Sequence, residues 1–277
     1  MEKYTLPPTE GSLLLAWQIK DKRVLIVGGG DVASGRIGSV LAAGGYITLI
    51  SPNEGLHPKT RFFLDNSDRI FYIDRLFSGP EDLKNVDMVL TAIDDAEASK
   101  RICVMCRERR IPVNVADDPP NCDFYFGSQI QKGPLQILIS TNGRSPKLAN
   151  VLKNRIEESL PLNVNQAINN VGSLRKKLRV LAPGVGGELG KRRMQWMSSI
   201  CTTWPMNDLA QLNETTMENM LTEGWEKGIV PKPPHPGRSI FNGVSSVFVV
   251  GFCTGAATSL IVFLGQKYLF TSFLHAR

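Results

Sequence analysis

The sequence is poor in the residues that most often build metal centres and disulfide frameworks. It has three histidines and five cysteines in 277 residues. The histidines (His57, His235 and His275) are scattered, so no histidine metal cluster can be assembled from their spacing. An odd, low cysteine count points to free thiols in a reducing compartment. Cys103 and Cys106 form a CxxC that no second CxxC or CxxH answers; at i and i+3 they share a helix face, and packing is the simpler use. The N-terminus has no basic stretch followed by an apolar run, so no secretory signal is expected. Charge of one sign is not abundant either: 32 Lys+Arg against 26 Asp+Glu give +6. Basic and aromatic residues are not interleaved in any nucleic-acid module, and nucleic acid is not an expected partner. With 42% hydrophobic and 21% charged residues the chain is not a disordered one.

What is present begins with alternation. Short apolar runs at residues 23–28 (RVLIVG), 46–51 (YITLIS), 70–73 (IFYI), 87–93 (DMVLTAI) and 112–116 (PVNVA) read as strands. Helical patterns lie at 32–43 and 96–109. Continuous apolar strands joined by helical crossovers predict an α/β fold, a Rossmann-like parallel sheet covered on both faces. The pattern then changes. Residues 123–129 and 135–140 flank Gln131-Lys132-Gly133-Pro134, a hairpin signal, and helices are expected at 146–160, 164–181, 188–203 and 214–224. Pro161, Pro183 and Pro205 mark their ends. A Pro-rich linker occupies 229–238, and residues 239–265 carry no charge. Since a bilayer requires about 20 such residues, a C-terminal transmembrane helix is expected, with the chain membrane-anchored and its catalytic part cytosolic.

The turn after the first strand reads Gly28-Gly29-Gly30-Asp31-Val32-Ala33, a GxGxxA. Gly28 allows the tight turn, Gly30 lets the backbone approach a pyrophosphate, and Ala33 lets helix pack closely on strand. The helix N-terminus, through Asp31 and Val32, offers free N–H groups. Following a strand and opening a helix, the motif predicts dinucleotide binding. No acid ends the second strand; Ser51-Pro52-Asn53 stands there, leaving Ser51 or Asn53 to meet a ribose. No arginine is visible at that spot, which favours NAD over NADP.

Ligands of parallel sheets bind beyond the carboxyl ends of the strands. Strand four ends in Thr91-Ala92-Ile93-Asp94-Asp95, and strand five in Asn114-Val115-Ala116-Asp117-Asp118. Asp94 or Asp95 could equally cap the following helix. Asp117 precedes Asp118-Pro119-Pro120, where no helix begins, so it is the stronger candidate for a general base or metal ligand. Arg144, in the loop Thr141-Asn142-Gly143-Arg144-Ser145-Pro146, stands out among basic residues. Arg175, Lys176, Lys177 and Arg179, and then Lys191, Arg192 and Arg193, could instead form solvated helix faces.

Four stretches carry a resemblance: 24–32 (VLIVGGGDV), 113–127 (VNVADDPPNCDFYFG), 135–143 (LQILISTNG) with Ser145-Pro146, and 190–196 (GKRRMQW). In this order and spacing the chain resembles the fungal siroheme synthases, bifunctional precorrin-2 dehydrogenases and sirohydrochlorin ferrochelatases, and the N-terminal module of bacterial siroheme synthases. The resemblance covers roughly residues 12–205; the Pro-rich linker and apolar tail are not part of it.

The resemblance implies an NAD-binding Rossmann domain (12–118), a dimerisation segment of hairpin plus helix (119–162) and a helical domain (163–228), followed by the linker (229–238) and the expected transmembrane helix (239–265). It implies a homodimer, NAD as cofactor, tetrapyrrole substrates and Fe2+ as substrate. NAD would contact Gly28, Gly30, Asp31, Val32, Ala33, Ser51, Asn53, Ala92 and Asp94. Asn114, Asn142 and Arg144 would bind the tetrapyrrole's carboxylated ring. Asp117 would serve as base in both steps and hold the metal transiently. An enzyme confined to the oxidation, and a non-catalytic dinucleotide sensor, are the alternatives.

Overall fold

The structure is a computed structural model and describes residues 11–233. Five short strands form one parallel sheet: β1 (Arg23–Val27), β2 (Tyr46–Ile50), β3 (Ile70–Ile73), β4 (Met88–Thr91) and β5 (Val113–Val115), in the order β3-β2-β1-β4-β5. Every pairing in this sheet is parallel. Three helices cross over: α1 (Asp31–Ala42), α2 (Pro58–Asn66) and α3 (Ala96–Glu108).

The alternation inside each strand explains the double cover. Val24, Ile26, Ile47, Leu49 and Leu90 face one side, against Ala33, Ile37 and Val40 of α1. Leu25, Val27, Ile50, Val89 and Val113 face the other, against Ile102, Cys103 and Cys106 of α3. Each such side chain, fully buried, contributes about 1.5–3 kcal/mol. Cys103 and Cys106 are buried and free, and burial pushes the Cys106 thiol up to about 12. Their spacing is a packing spacing.

The strand order reverses between β1 and β4. At such a switch point the two following crossovers leave in opposite directions and open a crevice beyond the strands' carboxyl ends. The glycine turn and the end of β4 meet there.

The hairpin is β6 (Ser128–Lys132) with antiparallel β7 (Leu135–Ile139), turning at Gly133-Pro134 with Gly133 at φ 56°. It starts five residues later than the 123–129 run suggests, because Asp123 is engaged elsewhere. Its backbone N–H donates to Val113 O at 2.9 Å, its Oδ2 accepts from Val113 N at 3.1 Å, and Arg107 grips its Oδ1. Residues 123–127 are thereby tied to the edge of β5.

Helix α4 (Pro146–Ser159) packs on the hairpin. Then follow α5 (Val164–Leu181), α6 (Gly187–Thr203), α7 (Met206–Ala210) and α8 (Glu214–Asn219), the last continuing as a π-helical turn at Met220–Trp225. Leu174, Leu178, Trp196, Ile200, Trp204, Met220 and Trp225 form their common core. Trp196 and Trp204 satisfy their indole N–H groups on Ile229 O and Pro231 O, each at 2.8 Å, so the strand-like exit of the chain is sewn to the bundle.

The Rossmann-like sheet and the helical unit are as expected from the sequence; the transmembrane helix is not. Among the described residues no helix is long and apolar enough to cross a membrane. The stretch 239–265 itself lies outside the described residues, as does the second half of the Pro-rich linker, 234–238. The expected membrane span, and the membrane-anchored placement that followed from it, are therefore withdrawn.

Candidate active site

The glycine turn is held by geometry that only glycine tolerates at its first position. Gly28 has φ 105°, and a Cβ there would lie 2.1 Å from Ala92 O. Gly28 N–H donates to Ile50 O, and Ala92 N–H to Val27 O, which locks the turn between β2 and β4. Around Gly30 a Cβ would meet nothing within 4 Å, so the backbone is open to an approaching group. Ala33 is wholly buried against the sheet. The first backbone bond of α1 runs from Ser34 N to Gly30 O, leaving the preceding N–H groups at the positive end of the helix without intrahelical partners. Val32 is half exposed at the rim.

Two residues absent from the sequence-based site hold this turn from α2. His57 N–H and Thr60 Oγ1 both donate to Gly29 O, at 2.9 Å each. His57 also caps α2, its Nδ1 accepting from Lys59 N, and its Nε2 lies 3.7 Å from Asp31 Oδ1.

A cavity of about 460 Å³ opens beyond the ends of β1, β2 and β4, lined by Gly28, Ser51, Pro52, Ile93 and Asp94 and walled by Leu76–Gly79. Ser51 is buried, its Oγ turned to Pro52 O at 3.3 Å, while its own carbonyl accepts from Tyr72 Oη at 2.9 Å. Burial, with the nearby Asp74 charge, raises Tyr72 above the ordinary tyrosine range. Asn53 is exposed. Its N–H donates to Asp74 Oδ1 at 2.8 Å and its Oδ1 accepts from Arg61 Nη2 at 2.7 Å. Thus an arginine does reach the end of β2, from α2, and an acid reaches it from β3. Neither is adjacent in sequence, which is why neither was visible there. The open Gly30 backbone, the free first turn of α1 and the cavity together fit a dinucleotide.

The acids at the rim divide into structural and available. Asp95 caps α3, accepting from Ala98 N at 2.9 Å, which leaves Asp94 exposed on the cavity wall. Asp118 Oδ2 accepts from Asn121 Nδ2 at 2.7 Å. Asp117 is exposed at φ 57°, a left-handed conformation that a non-glycine residue seldom adopts, and its carboxylate accepts no hydrogen bond from the described residues. The turn thus projects one carboxylate and spends the other.

Asn114, expected at the tetrapyrrole, lies within β5, and its Oδ1 is buried without a donor among the described residues. It is 3% exposed, and its Nδ2 donates to Phe124 O at 2.7 Å and to Cys122 Sγ at 3.3 Å. It stitches β5 to residues 122–124. Asn142, at φ 54°, and Arg144 sit in the exposed loop between β7 and α4, where Asn142 Oδ1 accepts from Ser12 Oγ at 2.6 Å and Ser145 caps α4 through Leu148 N. Several residues of the basic helices are also engaged: Lys177 pairs with Glu214 at 2.6 Å, Arg192 Nη2 donates to Trp225 O at 2.7 Å, and Arg193 donates to Ala182 O and Gly184 O. Among the described residues no group of three or more His, Cys, Asp or Glu side chains converges as a metal site.

Comparison with known proteins agrees with this geometry. Residues 15–128 match the family described as putative NAD(P)-binding, 132–159 the sirohaem biosynthesis protein central family, and 161–231 the sirohaem biosynthesis protein C-terminal family. The siroheme biosynthesis protein of Schizosaccharomyces pombe is 43% identical over 86% of this chain and 87% of its own length. That of Saccharomyces cerevisiae is 34% identical over 67% of this chain and 80% of its own. Among solved structures, SirC, a precorrin-2 dehydrogenase, matches with a TM-score of 0.58 at 21% identity, covering 76% of this chain and 98% of that one, a likeness of fold. The chain belongs to the siroheme biosynthesis protein family.

Proposed function

We propose that the protein is a fungal-type bifunctional enzyme of sirohaem biosynthesis. It oxidises precorrin-2 to sirohydrochlorin with NAD+, then inserts Fe2+ to give sirohaem. The observation that carries this reading is the placement of Asp117: a strained, unbonded carboxylate beyond the end of β5, beside a dinucleotide-fitting crevice, in a chain 43% identical to a fungal siroheme biosynthesis protein.

NAD+, held at the glycine turn, would supply the hydride acceptor. The work of the chain is to hold the dinucleotide on the glycine turn, to present the macrocycle over the rim, and to take the proton that accompanies hydride loss onto an Asp117 carboxylate oxygen. In the second reaction two pyrrole N–H protons leave as Fe2+ enters. Asp117 accepts a proton from a ring nitrogen, so a single carboxylate serves both steps and briefly faces the metal. Arg144, and Asn142 beside it, contribute polar contacts to the tetrapyrrole from the β7–α4 loop.

A homodimer completes the proposal. Leu148, Val151 and Leu152 are exposed on α4, an apolar stripe at helical spacing that a second copy of the chain would cover. The division into 12–118, 119–162 and 163–228 assigns cofactor, dimer contact and helical cover to successive parts of the chain.

The test is anaerobic incubation of the full chain with precorrin-2 and NAD+, following NADH and the tetrapyrrole spectrum before and after adding Fe2+. Stoichiometric NADH, then iron insertion above the uncatalysed rate, is expected. NADH without accelerated insertion would reduce the enzyme to a dehydrogenase; NAD+ binding without NADH would favour a sensor.

A further inference from the structure

Arg36 lies on α1, between the glycine turn and the hairpin, and no sequence motif singled it out. Its guanidinium stacks on Phe126, with Cζ 4.7 Å from the ring centroid. Its Nε and Nη1 are buried and bonded to nothing. A desolvated donor without an acceptor is costly, and the fold itself supplies none for these two atoms of the half-buried Arg36.

The space for that acceptor exists. Arg36 borders a cavity of about 360 Å³ between α1 (Val32, Gly35, Ser39) and the approach to β6 (Phe126, Gln129). Gly35 leaves it open on the helix side, since a Cβ there would meet no atom within 4 Å. Phe126 covers the guanidinium, 4.7 Å from Cζ to the ring centroid, and no acceptor of the fold takes Nε or Nη1. A carboxylate is the usual partner of such a group, meeting a guanidinium with up to two parallel hydrogen bonds. Ser39 and Gln129 add neutral polar groups at the wall.

The neighbourhood links this cavity to the reaction. Burial pulls Arg36 below the ordinary guanidinium range, and the Asp117 carboxylate opposes that shift. Asp117 is therefore near enough to be felt, yet the two form no ion pair, and Arg36 keeps its donors for something else.

We infer that the Arg36 cavity is a carboxylate subsite, taking one acidic side chain of the tetrapyrrole and so placing the ring over Asp117. The inference rests on the sirohaem reading above and deepens it, because it assigns an anchor on the sheet unit to a polycarboxylate substrate. Arg36 is a positioning residue: it holds the periphery of the ring and takes no part in proton or hydride transfer.

The test uses the full chain as wild type, Arg36→Gln and Arg36→Lys. Each is titrated with sirohydrochlorin, with sirohydrochlorin methylated on its carboxylates, and with NAD+. Loss of a charge-assisted pair predicts sirohydrochlorin binding about 10- to 100-fold weaker in Arg36→Gln, with NAD+ affinity within about 2-fold of wild type. Arg36→Lys should lie between, since it keeps the charge but not the fork. The methylated compound should bind wild type and Arg36→Gln alike. Unchanged sirohydrochlorin affinity in Arg36→Gln would overturn the subsite, as would an equal deficit with the methylated compound. A deficit that follows dissociation of the oligomer in sedimentation would overturn it too, by making Arg36 an interface residue. A wild-type chain that binds NAD+ but not sirohydrochlorin would instead sink the functional reading, and the subsite with it.

Discussion

Arg192 and Arg36 both lie over an aromatic ring, 4.3 Å from the centroid of Trp225 and 4.7 Å from that of Phe126. Their donors fare differently. Arg192 gives Nη2 to Trp225 O, within the helical unit, whereas Arg36, at the rim of the sheet unit, gives nothing to anyone. The contrast extends to their surroundings. In the helical unit Arg193, Trp196, Trp204 and Lys177 all end on acceptors of the fold itself. At the rim of the parallel sheet Asp94 and Asp117 project into or beside open space. Polar groups consumed by packing stabilise; those left over at a switch point are what a ligand meets.

This division can be broken by substitution. The largest effect is expected from Gly28→Ala, which combines a φ of 105° with a Cβ 2.1 Å from Ala92 O. NAD+ binding should fall by more than about 100-fold, and thermal unfolding should show a loss of several kcal/mol. Near-normal NAD+ affinity in the folded variant would remove the turn from the cofactor site.

Asp82 gives the next effect and a pH signature. Hydrogen bonds from Arg75, at 2.6 and 2.9 Å, with Ser78 N and Oγ, hold its carboxyl down at about 2. A carboxyl depressed in the folded state stabilises above its unfolded pKa and loses that contribution as pH falls through its folded value. Asp82→Asn should therefore cost about 1–3 kcal/mol near neutrality. Denaturation curves should show the gap between variant and wild type closing between about pH 4 and pH 2. A gap independent of pH would assign the loss to packing.

Arg192→Ala sharpens the comparison from the helical side. It should destabilise by about 1–2 kcal/mol through the lost hydrogen bond and ring contact. The KM for precorrin-2 should stay within about 2-fold of wild type, since the donor is internal to the bundle. A large rise in KM would place the helical unit's cations on the substrate. Asp95→Ala should be smallest, about 1 kcal/mol from the lost cap of α3, with unchanged NADH formation.

Much of this was legible in the sequence, and the rest was hidden for identifiable reasons. Continuous apolar runs gave away β1, β2 and β4, and the glycine turn announced the crevice. Helix α2 escaped notice because Pro58–Asn66 is short, polar on the whole and buries only Thr60. Its contributions, Thr60 on Gly29 and Arg61 on Asn53, exist only in three dimensions. Arg36 looks like any helix-surface cation until Phe126, far along the chain, folds over it. Asn114 reads in sequence as a polar group in a strand at the rim; what the sequence hides is that its amide nitrogen serves the Phe124 carbonyl. Asp117 stood out in sequence because no long helical pattern follows it; the structure adds a short 3-10 turn at Pro119–Asn121 that begins after Asp118, not after Asp117. The apolar stretch at 239–265 was read from hydropathy alone and lies outside the described residues, among which no helix is long and apolar enough to cross a membrane.

The most direct test of the account is single-turnover hydride transfer from precorrin-2 by the full chain carrying Asp117→Asn, with NAD+ affinity measured on the same sample. If the projecting carboxylate is the base, the rate falls by about 10²–10⁴-fold while NAD+ affinity stays within about 2-fold of wild type. A wild-type rate in that variant would contradict the assignment and move the chemistry to another group at the rim.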